Sequence, residues 1–92
     1  MPLDSPSAEE LVQIESTLHQ QLTEAKATYD TAKVQVARLN ETVLDLGLNH
    51  PDGMAAMRNA TSIQRRALAV YMEAMRRFND FVLRYKVPRD LA

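Results

Sequence analysis

The stretch LGLNHPDGM, Leu46 to Met54, decides the fold, because it holds both glycines of the chain and separates two long helical patterns. Gly47 follows the last apolar position of the first pattern, where helices commonly end in a left-handed residue. Pro51 suits the first position of a second helix, where its missing amide hydrogen costs nothing, and Asp52 complements the positive end of that helix. We therefore expect residues 47–50 to form a turn between two helices.

The same stretch also has to be weighed as a chemical site, because it contains His50 and Asp52. The only other histidine, His19, lies about thirty residues along the first helix, roughly 40 Å away in a hairpin. Glu15 and His19 share a helix face, but helical di-iron sites use Glu-x-x-His with further carboxylates. The chain also lacks the phosphate-loop, nucleophile-elbow and zinc patterns. We expect no catalytic residue, no metal and no cofactor, and so no enzyme.

Outward from the turn, both arms have the spacing of apolar residues that is typical of helices. The sequence SAEE, Ser7 to Glu10, is a capping box that starts a helix, and neither Gly nor Pro follows before Gly47. Apolar residues recur at steps of three and four in both arms. We predict helix 1 over about 7–46 and helix 2 over about 51–86, because Pro88 disfavours helical geometry at Val87. Residues 87–92 form a short tail, and residues 1–92 form one domain.

A connection this short predicts an all-α, coiled-coil-like antiparallel hairpin, in which the position numbers of facing residues have a near-constant sum. The two apolar stripes, read independently, share one register with sums of 99 or 100. Small residues face small ones at Ala32–Ala67 and Ala25–Ala74, which favours close helix axes. The remaining predicted pairs are Val43–Met57, Leu39–Ala60, Val36–Gln64, Tyr29–Tyr71, Leu22–Phe78, Leu18–Phe81 and Ile14–Tyr85.

Charge is nearly balanced overall but unevenly distributed. Up to Leu48 there are eight acidic and three basic residues, a net charge of −5, and from Asn49 onward four acidic and eight basic residues, a net charge of +4. This asymmetry suits two elements lying side by side, or an anionic partner for the second half. The residues that would face such a partner are Arg65, Arg66, Arg76 and Arg77. A charge pattern alone is weak support for nucleic-acid binding, so we favour a solvated face that pairs with helix 1 or a second subunit.

Helix 2 carries more apolar residues than one partner helix can cover. A second row, spaced by seven residues and interrupted only by Thr61, runs beside the facing positions, and Ile63 and Val70 lie on the other flank. An apolar stripe this wide indicates a bundle of helices. We expect two hairpins to form a homodimeric four-helix bundle, in either relative orientation, although another helical protein could cover the same surface. The predicted interface consists of Met54, Ile63, Leu68, Val70, Met72, Met75 and Val82.

These features favour a non-catalytic structural or protein–protein interaction module. One alternative is a small secretion-apparatus component or its chaperone, since some of these are helical hairpins. The chain lacks the Trp-x-Gly turn of the WXG class, and NHPDG matches the turn of type III needle subunits only loosely, so we assign neither family. The other alternative is nucleic-acid binding. With no signal peptide pattern and no apolar run of about 20 residues to span a membrane, we expect a cytoplasmic protein, leaderless export remaining open.

Overall fold

The predicted antiparallel helical hairpin is confirmed. The computed structural model describes residues 7–46, 51–84 and 86–91. Helix α1 spans Ala8–Leu46, helix α2 spans Pro51–Arg84, and a short 3-10 helix, η1, spans Arg89–Leu91. The two long helices pack along their length into a rod of 68 × 16 × 16 Å. The predicted turn, residues 47–50, lies outside the described residues, as does Tyr85.

The first helix begins where the capping box predicts. The Ser7 hydroxyl accepts a hydrogen bond from the Glu10 amide at 3.2 Å. The Leu11 amide donates to the Ser7 carbonyl at 3.0 Å. Because the first amides of a helix have no partner within it, Ser7 satisfies a donor that would otherwise depend on water.

The hairpin core is narrow and consists of the predicted facing positions. Two alanine layers, Ala25–Ala74 and Ala32–Ala67, lie on either side of a tyrosine pair. The rings of Tyr29 and Tyr71 stack there with centroids 5.9 Å apart and an interplanar angle of 25°. The register read from the sequence therefore describes the contact between α1 and α2. The buried apolar residues are Ile14, Leu18, Ala25, Ala32, Val43, Ala60, Ala67, Ala74 and Phe81.

A cluster of buried apolar residues lies at the open end of the hairpin, away from the turn. Ile14, Leu18 and Phe81 form its buried centre. The C-terminal segment folds back onto this cluster, so that Val87 and Leu91 pack against it. Apolar surface that the two helices leave open at their ends is therefore covered by the segment that the sequence predicts only as a tail.

Helix α2 ends at Arg84, within two residues of the predicted end near Lys86. The last described helical residue is Arg84, and Lys86 is already non-helical. The Lys86 amide donates to the Asp80 carbonyl at 3.2 Å, which satisfies one of the carbonyls that a helix end leaves without a partner. Beyond α2, Val87 and Leu91 pack against the cluster at the open end.

Candidate self-association surface

One flank of α2 remains apolar and accessible after the hairpin closes. We call it the methionine flank and define it by the seven-residue row Met54, Thr61, Leu68, Met75 and Val82. The side chains at its two ends, Met54 and Val82, are each 44% exposed, and the residues between them are partly buried. Neither this row nor the adjoining facing positions carry a charged side chain. The methionine flank is therefore an uncharged band along most of α2.

Ile63 and Val70 belong to a different surface, which we call the opposite flank. Each lies five residues before a member of the methionine flank, a rotation of about 140° around the helix. Ile63 and Val70 each line a shallow open groove with residues of α1, and Thr28 borders both grooves. Since one flat partner surface cannot cover both flanks, the residues predicted as one interface divide between two surfaces.

Met72 lies on the outer side of α2, next to the methionine flank, and is 57% exposed. On α1, Leu44 is 61% exposed near the turn. Its number and that of Met54 add to 98, so the two residues lie at nearly the same level of the hairpin. Sequence reasoning missed Leu44 because it adjoins the facing residue Val43 and falls outside the helical stripe.

Val12 and Leu83 add exposed apolar surface at the open end, and Val34 adds more on α1. Their exposed fractions are 66%, 75% and 49% respectively. Leu83 is rotated about 100° from its neighbour Val82, so it lies off the methionine flank. The apolar surface of the hairpin thus extends beyond the predicted interface.

The four arginines predicted as an anionic-partner face do not form one free cationic surface. Arg76 pairs with Glu73 on one side and with Asp80, at 2.9 Å, on the other. The Arg77 guanidinium donates to both carboxylate oxygens of Asp90, each at 2.8 Å. These contacts neutralise much of the charge at the C-terminal half of α2.

Arg65 and Arg66 are exposed, and neither joins an ion pair among the described residues. The Glu73 carboxylate shows the effect of its arginine neighbour, since the hydrogen bond from Arg76 lowers the pKa of Glu73 below its ordinary value, assisted by the nearby charges. The same pair raises the pKa of Arg76. Arg65 and Arg66, together with Arg58, therefore keep exposed positive charge outside the paired region of α2.

No ion pair joins α1 to α2 in the part of the chain that the structure describes. Each pair lies within one helix, as Lys33–Asp30 does at 3.3 Å, or links α2 to the C-terminal segment. The opposite net charges of the two arms are thus not joined by ion pairs across the hairpin. The described contacts between the facing residues of α1 and α2 are apolar.

Within the described ranges, the titratable residues considered as chemical sites do not form a cluster that could bind a metal. His19 is exposed and meets the ring of Phe78 edge-on, with centroids 5.8 Å apart. Among the described residues there is no group of three or more His, Cys, Asp or Glu side chains able to hold a metal ion. His50 lies outside those residues, so the structure does not describe the loop pair of His50 and Asp52.

No helix within the described ranges is long and apolar enough to cross a membrane. Comparison of the chain with protein-family models, with curated proteins and with solved structures found no match.

Proposed function

We propose that the protein is a non-catalytic structural or protein–protein interaction module that self-associates through the methionine flank into a homodimeric four-helix bundle. The observation that carries this proposal is the flank itself, an uncharged apolar band that stays accessible when α1 and α2 close on each other. Contiguous apolar surface that remains exposed on a folded chain commonly marks an interaction site. A second hairpin is the simplest chain that could cover it.

The total exposed surface supports a partner. The chain exposes 7230 Å², whereas a compact monomer of 10.4 kDa is expected to expose about 5,400 Å². A standard protein–protein interface covers about 800 Å² on each partner. Docking a second hairpin would therefore bring the exposed area of each chain closer to that of an ordinary globular protein.

The thin core gives a second, energetic reason. Of the nine apolar residues that are buried in the described part of the chain, five are alanines, which contribute little area compared with leucine or phenylalanine. Covering four side chains of the size found along the methionine flank would contribute about 6–12 kcal/mol per chain as an upper bound. This upper bound is comparable to the whole stability of a small domain, which is about 5–15 kcal/mol.

A second candidate is a small secretion-apparatus component or chaperone that packs against another helical chain or into an open polymer. It is favoured by the exposed Val12 and Leu83 at the open end, which lie off the methionine flank and would remain uncovered in a closed dimer. The flexible methionines also suit a surface that adapts to different partners. Nucleic-acid binding is less well supported, because Arg76 and Arg77 are engaged by carboxylates of the same chain.

The test is the mass of the purified protein in solution, measured by light scattering across a range of concentrations. We expect a dimer for the parent chain and a monomer for the double variant Leu68→Glu/Met75→Glu. The matched control is Ile63→Glu/Val70→Glu, which places the same two charges on the opposite flank and should remain dimeric. A parent chain that runs as a monomer, or dissociation only in the control, would contradict the proposal. Filaments would favour the second candidate.

A further inference from the structure

The relative orientation of the two copies follows from the charges of the helices, if the protein dimerises as proposed above. Helix α1 carries seven acidic and three basic residues, a net charge of −4, and α2 carries three acidic and six basic residues, a net charge of +3. Asp90 of the C-terminal segment offsets one positive charge of α2 through its pair with Arg77. The other ion pairs lie within one helix and leave its net charge unchanged, so the two helices keep net charges of opposite sign.

Two hairpins stacked face to face have two symmetric arrangements. In the first, the two-fold axis runs along the rod, so that α1 of each copy lies on α2 of the other and both turns are at the same end. In the second, the axis is perpendicular to the rod, so that α1 lies on α1, α2 lies on α2, and the turns are at opposite ends. Closed dimers generally have two-fold symmetry, so the choice is between these two.

We propose that the two-fold axis runs along the rod, with the acidic α1 of each copy packed on the basic α2 of its partner. The perpendicular axis would instead place the acidic helices together and the basic helices together. Juxtaposing like charges across an interface is unfavourable, and complementary charge selects the register and orientation of a complex. This inference rests on the proposed dimer and adds its geometry.

Residues at the same level of the rod support the arrangement, because an axis along the rod keeps each residue at its own level. Glu41 and Arg58, whose numbers add to 99, lie at one level, and both are exposed. Glu41 of one copy then comes level with Arg58 of the partner. The same symmetry brings the exposed Leu44 level with Met54 of the partner, so one exposed apolar side chain covers another.

The absence of cysteine from the chain allows the test to use single spin labels with no background site. Ala8→Cys places a label near one end of the rod, and Ala27→Cys places one near its middle; both positions are exposed. Pulsed dipolar spectroscopy on each labelled protein then measures the distance between the two copies. Ala27 is the matched control, because a label at mid-length is close to its partner in both arrangements.

With the axis along the rod, we expect both labels to lie within about 30 Å of their partners, since neighbouring helices pack about 8–10 Å apart. With the perpendicular axis, the Ala8 labels would be separated by about 60 Å, twice the rise of some 20 residues. A short Ala27 distance with a long Ala8 distance would overturn the orientation but keep the dimer. The absence of any intermolecular distance at Ala27 would overturn both.

Discussion

The layer formed by the facing residues Ala32 and Ala67 provides the sharpest test of the register. We expect the substitution Ala67→Leu to destabilise the fold. Ala67 and its facing residue Ala32 are 7% and 4% exposed, so the added isobutyl group has no route to solvent without separating the helices. Overpacking of this kind commonly costs about 1–3 kcal/mol. For a chain of this length, each kcal/mol corresponds to about 4–8 °C in Tm.

The matched control is Ala69→Leu, because Ala69 is exposed on the same helix only two residues away. An exposed substitution away from special features commonly changes stability by less than about 0.5 kcal/mol. Both variants add the same atoms to the same helix, so their helix propensities are equal, and only the burial of the site differs.

Urea denaturation followed by circular dichroism, at one fixed protein concentration, measures both variants. A second readout comes from the tyrosines, because the Tyr29–Tyr71 stack adjoins the alanine layer and the chain has no tryptophan. We expect Ala67→Leu to reduce the near-ultraviolet tyrosine signal, while Ala69→Leu preserves it. An Ala67→Leu protein as stable as its parent, with an unchanged tyrosine signal, would refute the register.

Two further predictions concern the apolar cluster at the open end and the ion pair between Arg76 and Glu73. Leu91→Ala should lower the free energy of unfolding, measured by urea denaturation, by about 1–2 kcal/mol, because Leu91 packs against the apolar cluster at the open end. Leu83→Ala, at a site 75% exposed, should have a negligible effect. An equal loss from both would contradict the packing of the C-terminal segment. Because hydrogen bonding from Arg76 lowers the pKa of Glu73 below 4.5, the stabilisation from this pair is present above that pH and is lost as the pH falls through the lowered pKa. Carbon-13 NMR titration should show the Glu73 pKa returning to its ordinary value in Arg76→Gln, and an unchanged titration would contradict the pairing.

The hairpin was predictable because its information is local and repeated. The steps of three and four define each apolar stripe, and the glycine and proline near the midpoint leave room only for a short connection. The constant sum of facing positions then identifies, from the sequence alone, the small residues that meet, Ala32 with Ala67. The fold follows from many weak signals that agree with one another.

The C-terminal segment was not predictable from the same reasoning. Val87 and Leu91 flank Pro88 in a stretch too short to show a period, so neither has a pattern that marks it as packed. The bond between Arg77 and Asp90 joins residues thirteen positions apart, and such a pairing depends on the direction in which the chain leaves α2.

The candidate surface was only partly predictable. The apolar excess of α2 is visible in the sequence, but a list of apolar residues does not show that Ile63 and Leu68 lie on different flanks of a closed hairpin. Exposure of Leu44 depends on how Val43 fills the space between the helices. The pairing of Arg76 and Arg77 with acidic residues likewise required the side-chain positions.

The facing register also restricts how a chain of this kind can change its length. Removing seven residues from α2 alone, close to the turn, would shift the rest of that arm past its partner by about 10 Å, so that Ala25 would meet the bulky Phe81 instead of Ala74. Removing a matching seven from the other arm, at the same distance from the turn, restores the alignment. Viable shorter or longer versions of this rod should therefore differ by paired deletions or insertions, one in each arm.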